Sequence, residues 1–456
     1  MLSLNGLLGV AGEAMAAQSA GVSVAGQNVA NVNTPGYVRR SALLETRRDN
    51  GGVNLVGITR AFDRFATGRV VGETAQQGAA DARSSSLATV ESALAPSGSP
   101  TIGDRIQSLF DSFTKLAQSP SDGAARKQVL SAAGDVVNGI NGAATTLVTQ
   151  RAELLQQAQS TAVEVNQRLT RIADLNTKIA DAGAFGEGAP SLRDERDQLV
   201  REVGERIGAK AIEDPMGRVT LMSSGTTLVE ADRASQLSVS TSKDGNLKVE
   251  VHRPGGAVVD VTSNVDSGRI GGLREVRDKD IPDLQGRLDQ LAFDLAGSVN
   301  AVHEQGFGLD GQNGRPLFAA PAQKDGAAYN LAIDASVAGN PNALATAKAA
   351  GDLPGGNDVA LEIAGLAGKP LGLASNPAAA WGDITGTLGT KKSSADAELA
   401  LRRDTVAQAE TLRESASGVS IDEEMVNLSK FQRAFQASVR VLQTADELLA
   451  GLLRGA

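Results

Sequence analysis

The C-terminal segment constrains the fold most, because it repeats an apolar residue at every seventh position. The repeat consists of Ile421, Leu428, Phe435, Leu442 and Leu449, and a second apolar set widens the stripe: Met425, Phe431, Val439, Ala445 and Leu452. Such a period places one continuous apolar face along an α-helix. Ser420 and Glu423 have the spacing of a capping box, and acidic residues follow in the first turn. The pattern predicts an amphipathic helix of about 34 residues.

The N-terminal segment carries a second stripe with alternating spacings of four and three. Its members are Leu4, Leu8, Ala11, Met15, Gln18, Val22, Ala25, Val29 and Val32. The same segment contains glycines at positions 6, 9, 12, 21 and 26, and each costs about 1 kcal/mol relative to Ala inside a helix. The pattern therefore predicts a helix that forms only when packed. The alternative is that the two stripes belong to core helices of an ordinary domain. The glycine content favours instead a helix that neighbouring backbones approach closely.

The stretch "NVANVNTPGY" follows the first stripe and predicts a helix stop and a redirecting turn. Its motif residues are Asn28, Asn31, Asn33, Thr34, Pro35, Gly36 and Tyr37. A residue before proline disfavours the α region, and Pro-Gly fits the centre of a type II turn. We expect Tyr37 to pack at the exit and the asparagines to cap freed backbone groups. Contacts to a neighbouring subunit are the alternative role for the asparagines.

Between the two stripes, periodicity predicts long helices with one β region. A stretch without proline, residues 121–189, predicts one helix of about 60 residues and roughly 90 Å. Alternating strands around Asp244-Gly245 predict an antiparallel hairpin. The other predicted helices span residues 82–94, 102–117, 281–302 and 394–416, with one more starting near Ser191, and residues 319–392 predict short elements only.

The fold class expected from these patterns is mainly α with a β insertion. The chain is predicted to be an elongated multi-domain protein in which the N- and C-terminal helices pair as a coiled coil. Residues 1–50 with 415–456 would form that terminal assembly domain. Residues 51–207 with 267–414 would form a long-helix bundle body, and residues 208–266 a small antiparallel β domain. Both terminal stripes are then predicted to pair with each other and with neighbouring copies.

Composition excludes several functional classes. The 456 residues carry a net charge of −9, whereas nucleic-acid-binding domains are usually basic. Absence of cysteine removes disulfides and thiolate chemistry. No apolar run reaches the length of about 18 residues that a membrane span needs. The N-terminus lacks the basic region of a signal peptide, so we expect no signal cleavage.

No residue pattern indicates catalysis, a cofactor or a metal. His252 and His303 each lack a second histidine at metal-ligand spacing. The charged run "RDERDQ", residues 193–198, is interpreted as a solvated helix face with local ion pairs. "GLDGQNG", residues 308–314, lacks the full calcium-loop pattern and predicts a tight turn. A secreted enzyme would need a nucleophile, base and orienting group, and none is seen, so the chain is predicted not to be an enzyme.

At both ends the chain resembles the flagellar axial proteins, which are the rod, hook and hook-associated proteins. "NVANVNTPGYVRR" resembles their N-terminal A-N-x-N-T-P-G-Y motif, and "DEEMVNLSKFQRAFQA" is most similar to the first hook-associated family, which joins hook to filament. The interior blocks "SLRDERDQLV" and "SVNAVHEQGFGLDG" followed by "PLF" agree with that family. Phe435 stands where the family commonly has tyrosine, and the chain is short for the family.

This resemblance implies a structural subunit that assembles into a ring between hook and filament. The implied partners are further copies of the chain, the hook protein, the neighbouring hook-associated junction protein and an export chaperone at the C-terminal region. The protein would be secreted by the flagellar export apparatus without signal cleavage and reside at the hook–filament junction. The assembly interface implied by the two stripes comprises Leu4, Leu8, Met15, Val22, Val29, Val32, Ile421, Met425, Leu428, Phe431, Phe435, Val439, Leu442 and Leu449. The alternative is another flagellar axial subunit, a hook or rod protein.

Overall fold

A computed structural model describes residues 4–34, 36–47, 52–94, 98, 100–184, 189–319 and 321–455. Helices dominate it: α1 Leu4–Ala30, α2 Arg64–Leu94, α3 Ile102–Gln118, α4 Gly123–Ala184, α5 Pro190–Ile207, α6 Gly268–Glu275, α7 Ile281–His303, α8 Ala327–Asn330, α9 Asp358–Gly365, α10 Pro377–Ser417 and α11 Ile421–Gly455. A π-helical turn, Val276–Asp280, joins α6 to α7. Within the described residues, no helix combines the length and apolar character needed to cross a membrane.

The strands form small antiparallel sheets. They are β1 Arg40–Thr46, β2 Val53–Arg60, β3 Lys210–Glu213, β4 Val219–Ser223, β5 Thr226–Glu230, β6 Arg233–Ala234, β7 Gln236–Thr241, β8 Leu247–His252, β9 Val258–Asp260, β10 Phe318–Ala319 and β11 Ala332–Ile333. The sheet orders are β1-β2, β3-β4-β5-β6, β7-β8-β9 and β10-β11. The predicted class, mainly α with a β insertion, is confirmed.

The longest helix, α4, has 62 residues and holds the β region against the body. Two of its asparagines extend the sheets by pairing with strand backbone. Asn176 donates to Val219 O at 2.8 Å and accepts from Val219 N at 2.9 Å. Asn166 does the same with Leu237, at 2.8 and 2.7 Å. These side chains satisfy strand groups that would otherwise be buried without a partner, so one apolar core runs from the helices into the strands.

Three features of the body differ from the sequence prediction. The hairpin β1–β2 was not predicted, α2 begins at Arg64 rather than near residue 82, and α10 begins at Pro377 rather than near residue 394. The added part of α2 is rich in Gly, Ala and polar residues, so its apolar periodicity is weak. It is helical because its small residues let it pack closely against neighbouring helices.

Close backbone approach explains the glycines in that region. A Cβ on Gly78 would overlap the backbone carbonyl of Glu205 in α5, and a Cβ on Gly272 would overlap the carbonyl of Ala79. Only glycine leaves enough room at these two contacts. Helices α2, α5 and α6 therefore pack with their backbones in close contact. One of them, α5, also binds the hairpin that follows α1.

Candidate assembly interface

The two terminal helices pack against each other as an antiparallel pair in heptad register. The Asn28 amide of α1 lies 3.1 Å from the Glu424 carboxylate of α11. Gly21 of α1 lies against the ring of Phe431. The two contacts are seven residues apart on each helix, and the helices run in opposite directions. A seven-residue spacing is expected for a coiled-coil pair. The predicted pairing of the N- and C-terminal helices is confirmed.

Small residues line the buried side of α1. Ala17, Gly21, Val24 and Asn28 are buried at spacings of four and three. A Cβ placed on Gly21 would lie 2.6 Å from a ring carbon of Phe431, closer than carbon atoms approach in folded proteins. The glycine therefore makes room for the aromatic ring of the opposite helix.

Larger apolar residues line the facing side of α11. Ala445 is buried, and six members of the predicted stripe are half-buried: Leu428, Phe431, Phe435, Val439, Leu442 and Leu449. The pair thus combines a smooth α1 surface with a bulky α11 surface. Such large-to-small complementarity lets the two helix axes approach closely.

Two small members of the stripe predicted on α1, Ala11 and Ala25, are buried, and its larger members are less buried. Leu8, Met15, Val22, Val29 and Val32 are half-buried on the flank of the helix pair. The Phe431 ring of α11 packs where α1 presents small residues, so the larger apolar side chains of α1 lie beside this contact. On α11, Ile421 and Met425 also point outward, 49% and 51% exposed. Leu4 belongs to α1, but its side chain lies outside the described residues.

Asn28 is the centre of a hydrogen-bond network at the base of the helix pair. Its Oδ1 accepts from the Tyr37 hydroxyl at 2.8 Å and from the Arg40 N–H at 3.0 Å. Its Nδ2 donates to Arg40 O at 2.8 Å and to Glu424 Oε2 at 3.1 Å. Burial raises the pKa of the Tyr37 hydroxyl, which stays a donor. One fully buried amide thus joins the end of α1, the start of β1 and the start of α11.

The other motif residues shape the exit from α1. Asn31 Nδ2 donates to Gln27 O at 2.9 Å, and Thr34 Oγ1 donates to Asn31 Oδ1 at 3.2 Å. Tyr37 N donates to Thr34 O at 3.1 Å, and Gly36 has φ of 82°, as a type II turn requires. Asn33 is exposed. Pro35 lies outside the described residues.

Arg39, which follows the motif, attaches the start of α11 to the segment that leaves α1. Arg39 Nε lies 2.8 Å from Glu424 Oε1, and another Arg39 guanidinium nitrogen lies 2.8 Å from Glu423 Oε2. The Arg39 backbone N–H donates to Ser417 O at 3.0 Å, where α10 ends. Glu423 was predicted as the capping-box acid; its N–H lies 3.5 Å from Ser420 Oγ, while its carboxylate binds Arg39. The first turn of α11 is therefore anchored by arginine.

A second ion-pair cluster attaches the hairpin β1–β2 to the body. Asp194 of α5 lies 2.8 Å from both the Arg40 and Arg60 guanidiniums, and Asp197 lies 2.7 Å from Arg60. Burial raises the pKa of the Asp194 carboxyl, and the two guanidiniums oppose that shift. The cluster is mostly buried, so its charges are weakly screened by solvent.

The interpretation of "RDERDQ" as a solvated helix face is wrong, although one local ion pair is present, between Arg196 and Asp197 at 3.3 Å. Arg196 is 1% exposed and donates to the Gly217 carbonyl, and Asp194 and Asp197 bind arginines more than a hundred residues away. The hairpin and this long-range cluster were missed by sequence reasoning. The twin arginines after Tyr37 and the "DNGG" letters between two strand-like runs were the available signals.

Both histidines have structural contacts. His303 is 1% exposed; its Nε2 accepts from Ala345 N at 3.0 Å, and its Nδ1 lies 2.7 Å from Arg315 O. Burial lowers the pKa of the His303 imidazole. His252 Nε2 lies 2.9 Å from Ser238 Oγ on an exposed sheet face. In the part of the chain that the structure describes, no group of His, Asp and Glu side chains has metal-site geometry.

Three family models match the sequence. The model described as the flagellar hook-associated protein FlgK helical domain matches residues 87–318, just over half of the chain. The flagella basal body rod protein model matches residues 8–37, and the flagellar basal body rod FlgEFG protein C-terminal model matches residues 413–454. The helical-domain match covers most of the body, whereas the rod-type matches cover the terminal helices.

Individual relatives agree with these matches. Flagellar hook-associated protein 1 of Salmonella typhimurium is 27% identical over 69% of this chain, but the match spans only 59% of that protein. The Escherichia coli protein of the same name is 23% identical over 99% of this chain and 100% of that protein. A solved structure, the flagellar hook junction protein FlgK from Burkholderia pseudomallei, has a TM-score of 0.52, 22% identity and coverage of 56% of this chain and 47% of its own. That likeness shows a shared fold.

Proposed function

Because the chain belongs to the family of the flagellar hook-associated protein FlgK, we propose that it is a structural subunit of the bacterial flagellum. In this proposal it forms the junction ring between hook and filament. Its terminal helices carry the assembly contacts, and it has no catalytic role and no cofactor. The long-helix body and the β region lie outside this helical contact layer.

The observation that carries the proposal is the uncovered apolar surface of the α1–α11 pair. Pairing within one chain buries the small residues of α1 but leaves a set of large apolar side chains exposed: Leu7, Ile421, Met425, Val426, Val441 and Leu448. Exposed apolar surface concentrated on a helix pair is typical of a protein–protein contact. Copies of the same chain would cover it, and repeated head-to-tail contacts that close produce a ring.

The proposed position of the ring, between hook and filament, determines the proposed partners. The ring would contact the hook protein on one side and the neighbouring hook-associated junction protein on the other. An export chaperone would bind the C-terminal region before assembly, and the flagellar export apparatus would secrete the chain without cleaving a signal peptide. Helix α11, whose apolar side chains are partly exposed even in the folded chain, is the segment that a chaperone would cover.

Localisation on the flagellum tests the proposal against another axial subunit. Flagella would be detached from cells whose only copy of this chain carries a small epitope tag in the β7–β8 turn, and labelled with immunogold. A single cluster of gold at the hook–filament boundary is the expected result. Gold along the whole hook, or along the rod, would contradict the junction assignment and favour a hook or rod subunit. Normal swimming of the tagged strain is the control that the tag is tolerated.

A further inference from the structure

A cleft of about 770 Å³ lies beside the base of the terminal helix pair. It is bounded by the turn motif that follows α1, by the end of α10 and by the start of α11. Residues on its walls include Asn33, Thr34, Arg201, Arg413, Ser415 and Ser420. We call it the arginine cleft, because the Arg201 and Arg413 guanidiniums lie in its interior. It opens next to the surface that the proposed function assigns to assembly.

The two guanidiniums have incomplete hydrogen bonding. Their side chains are only 18% and 15% exposed. Arg201 is 4.0 Å from a Glu410 oxygen, and Arg413 is 3.6 Å from a Glu414 oxygen, both beyond hydrogen-bond distance. Within the described residues neither guanidinium donates a hydrogen bond, although each has five N–H donors. Arg39, the third arginine of the cleft, is already bound by Glu423 and Glu424.

The two charges also repel each other. Burial lowers the pKa of the Arg201 guanidinium, and the nearby Arg413 charge lowers it further, while Glu410 and Asp197 oppose the shift. Glu410 and Glu414 lie on the rim of the cleft and are more exposed than the arginines they accompany, so solvent weakens their compensating effect. A carboxylate bound between the guanidiniums would accept the free hydrogen bonds and remove the repulsion.

Asn33 supplies a further unused donor at the rim. The other two asparagines of the motif have partners within the chain, Asn28 in the buried network and Asn31 on the Gln27 carbonyl. Asn33 is exposed, and its side chain forms no hydrogen bond to any described residue. Its amide can therefore bind a group that arrives from outside.

We propose that the arginine cleft binds a carboxylate side chain of a second copy of this chain in the assembled ring. The inference rests on the proposed function, because it needs copies packed side by side at the terminal helices. A second copy is favoured over other anions because Ser420 and Glu423, on the wall of the cleft, lie on either side of the exposed Ile421 along the chain. The chain's net charge of −9 supplies acidic surface complementary to the cleft.

Photo-crosslinking in assembled flagella tests which molecule occupies the cleft. One strain would carry a photoreactive residue at Ser415 in the cleft, and another would carry it at Leu448 on the exposed face of α11. Both are expected to yield chain-to-chain adducts, with the Ser415 adduct mapping to a peptide containing Asp or Glu. An adduct at Leu448 but none at Ser415, or a Ser415 adduct with a different protein, overturns the cleft proposal alone. Loss of chain-to-chain adducts at both positions overturns the proposed assembly.

Charge removal gives an independent test. In the double variant R201Q/R413Q the purified chain should keep or raise its Tm, because two repelling charges are gone. The amount of chain recovered in detached flagella should fall at least about tenfold, since the incoming carboxylate loses its partners. The matched control Arg403→Gln, on the exposed side of α10, should change neither quantity. A lowered Tm would assign the arginines to folding, and unchanged recovery would show that the cleft is not used; either result overturns the proposal.

Discussion

Asn28 and Glu424 are 396 residues apart in the chain, yet the Asn28 amide donates to the Glu424 carboxylate at 3.1 Å. Both side chains are buried, 0% and 3% exposed. The same asparagine binds the Tyr37 hydroxyl and the Arg40 backbone. The turn sequence after α1 therefore connects the first helix, the last helix and the body of the protein.

Replacing Asn28 by Ala should detach the terminal helices. The change leaves the Tyr37 hydroxyl and the Arg40 backbone without their partner, and each orphaned buried group costs about 1–3 kcal/mol. Limited proteolysis of the purified chain should remove the two ends much faster than in the wild type while the body stays resistant. Asn33→Ala is the control, because Asn33 is exposed, and its cleavage pattern should match the wild type. Equal cleavage rates in Asn28→Ala and wild type would refute the role of the network.

The substitution Gly21→Ala, which adds one methyl group, should separate α1 from α11. The new Cβ would overlap the Phe431 ring, and overpacking of this kind costs about 1–3 kcal/mol. Amide hydrogen exchange along α1 should accelerate, and Phe431→Leu in the same chain should reverse part of the change. Gly26→Ala is the matched control, since its Cβ would meet open space; there the helix should gain up to about 1 kcal/mol. The same response at both positions would show that Gly21 is not a contact residue.

The stability of the body should decrease in mild acid because of His303. Burial holds the pKa of the folded His303 imidazole below its usual value, so as the pH falls below about 6.5 the unfolded chain binds a proton that the folded chain excludes. The free energy of unfolding should therefore be highest above about pH 6.5 and fall as the pH is lowered, by at most about 1.4 kcal/mol per pH unit for one proton. Urea unfolding at several pH values measures this slope.

The chain has two histidines, so replacing each one separately provides the controls for that measurement. His303→Gln should have a lower stability at pH 7.5 and a flatter pH dependence between pH 5 and 7. His252→Gln, at an exposed position, should keep the wild-type slope. A slope that survives in His303→Gln would assign the acid sensitivity to other groups.

Removing the Asp194 charge should loosen the hairpin β1–β2 from α5. Asp194→Asn leaves the Arg40 and Arg60 guanidiniums together without their shared carboxylate. Breaking a buried ion pair by deleting one partner costs about 3 kcal/mol or more. Hydrogen exchange of the hairpin amides should increase, whereas Asp404→Asn, on the exposed surface of α10, should have no effect. Unchanged hairpin exchange would mean that the ion-pair cluster does not hold it.

Repetition along the chain made helices α4 and α11 predictable. The seven-residue repeat in α11 and the absence of proline through α4 are signals that accumulate over many turns. The hairpin β7–β8 was predictable for a similar reason, because alternating strands flank Asp244-Gly245 and Gly245 has φ of 76°. Each of these elements is determined by local pattern and local turn chemistry.

Contacts between distant segments were not predictable from local pattern. Asp194 and Asp197 sit in a charged run, and nothing within the run shows that arginines of a hairpin will pair with them. Periodicity identified an apolar stripe on α1, but it did not show that Gly21, which lies outside that stripe, would face the Phe431 ring of α11. Glu423 and Glu424 look like ordinary acids at a helix start, and only the fold brings Arg39 to them.

The central claim is assembly through the terminal helices, and the most direct test is the double variant Phe435→Asp/Leu442→Asp expressed in cells lacking the native copy. Both side chains are half-buried on α11. The purified variant should keep the helical signal and Tm of its body, but the chain should be absent from detached hooks and filaments should be lost. Leu401→Asp/Leu412→Asp, at exposed positions of α10, should assemble normally. Normal filaments carrying the α11 double variant would contradict the account.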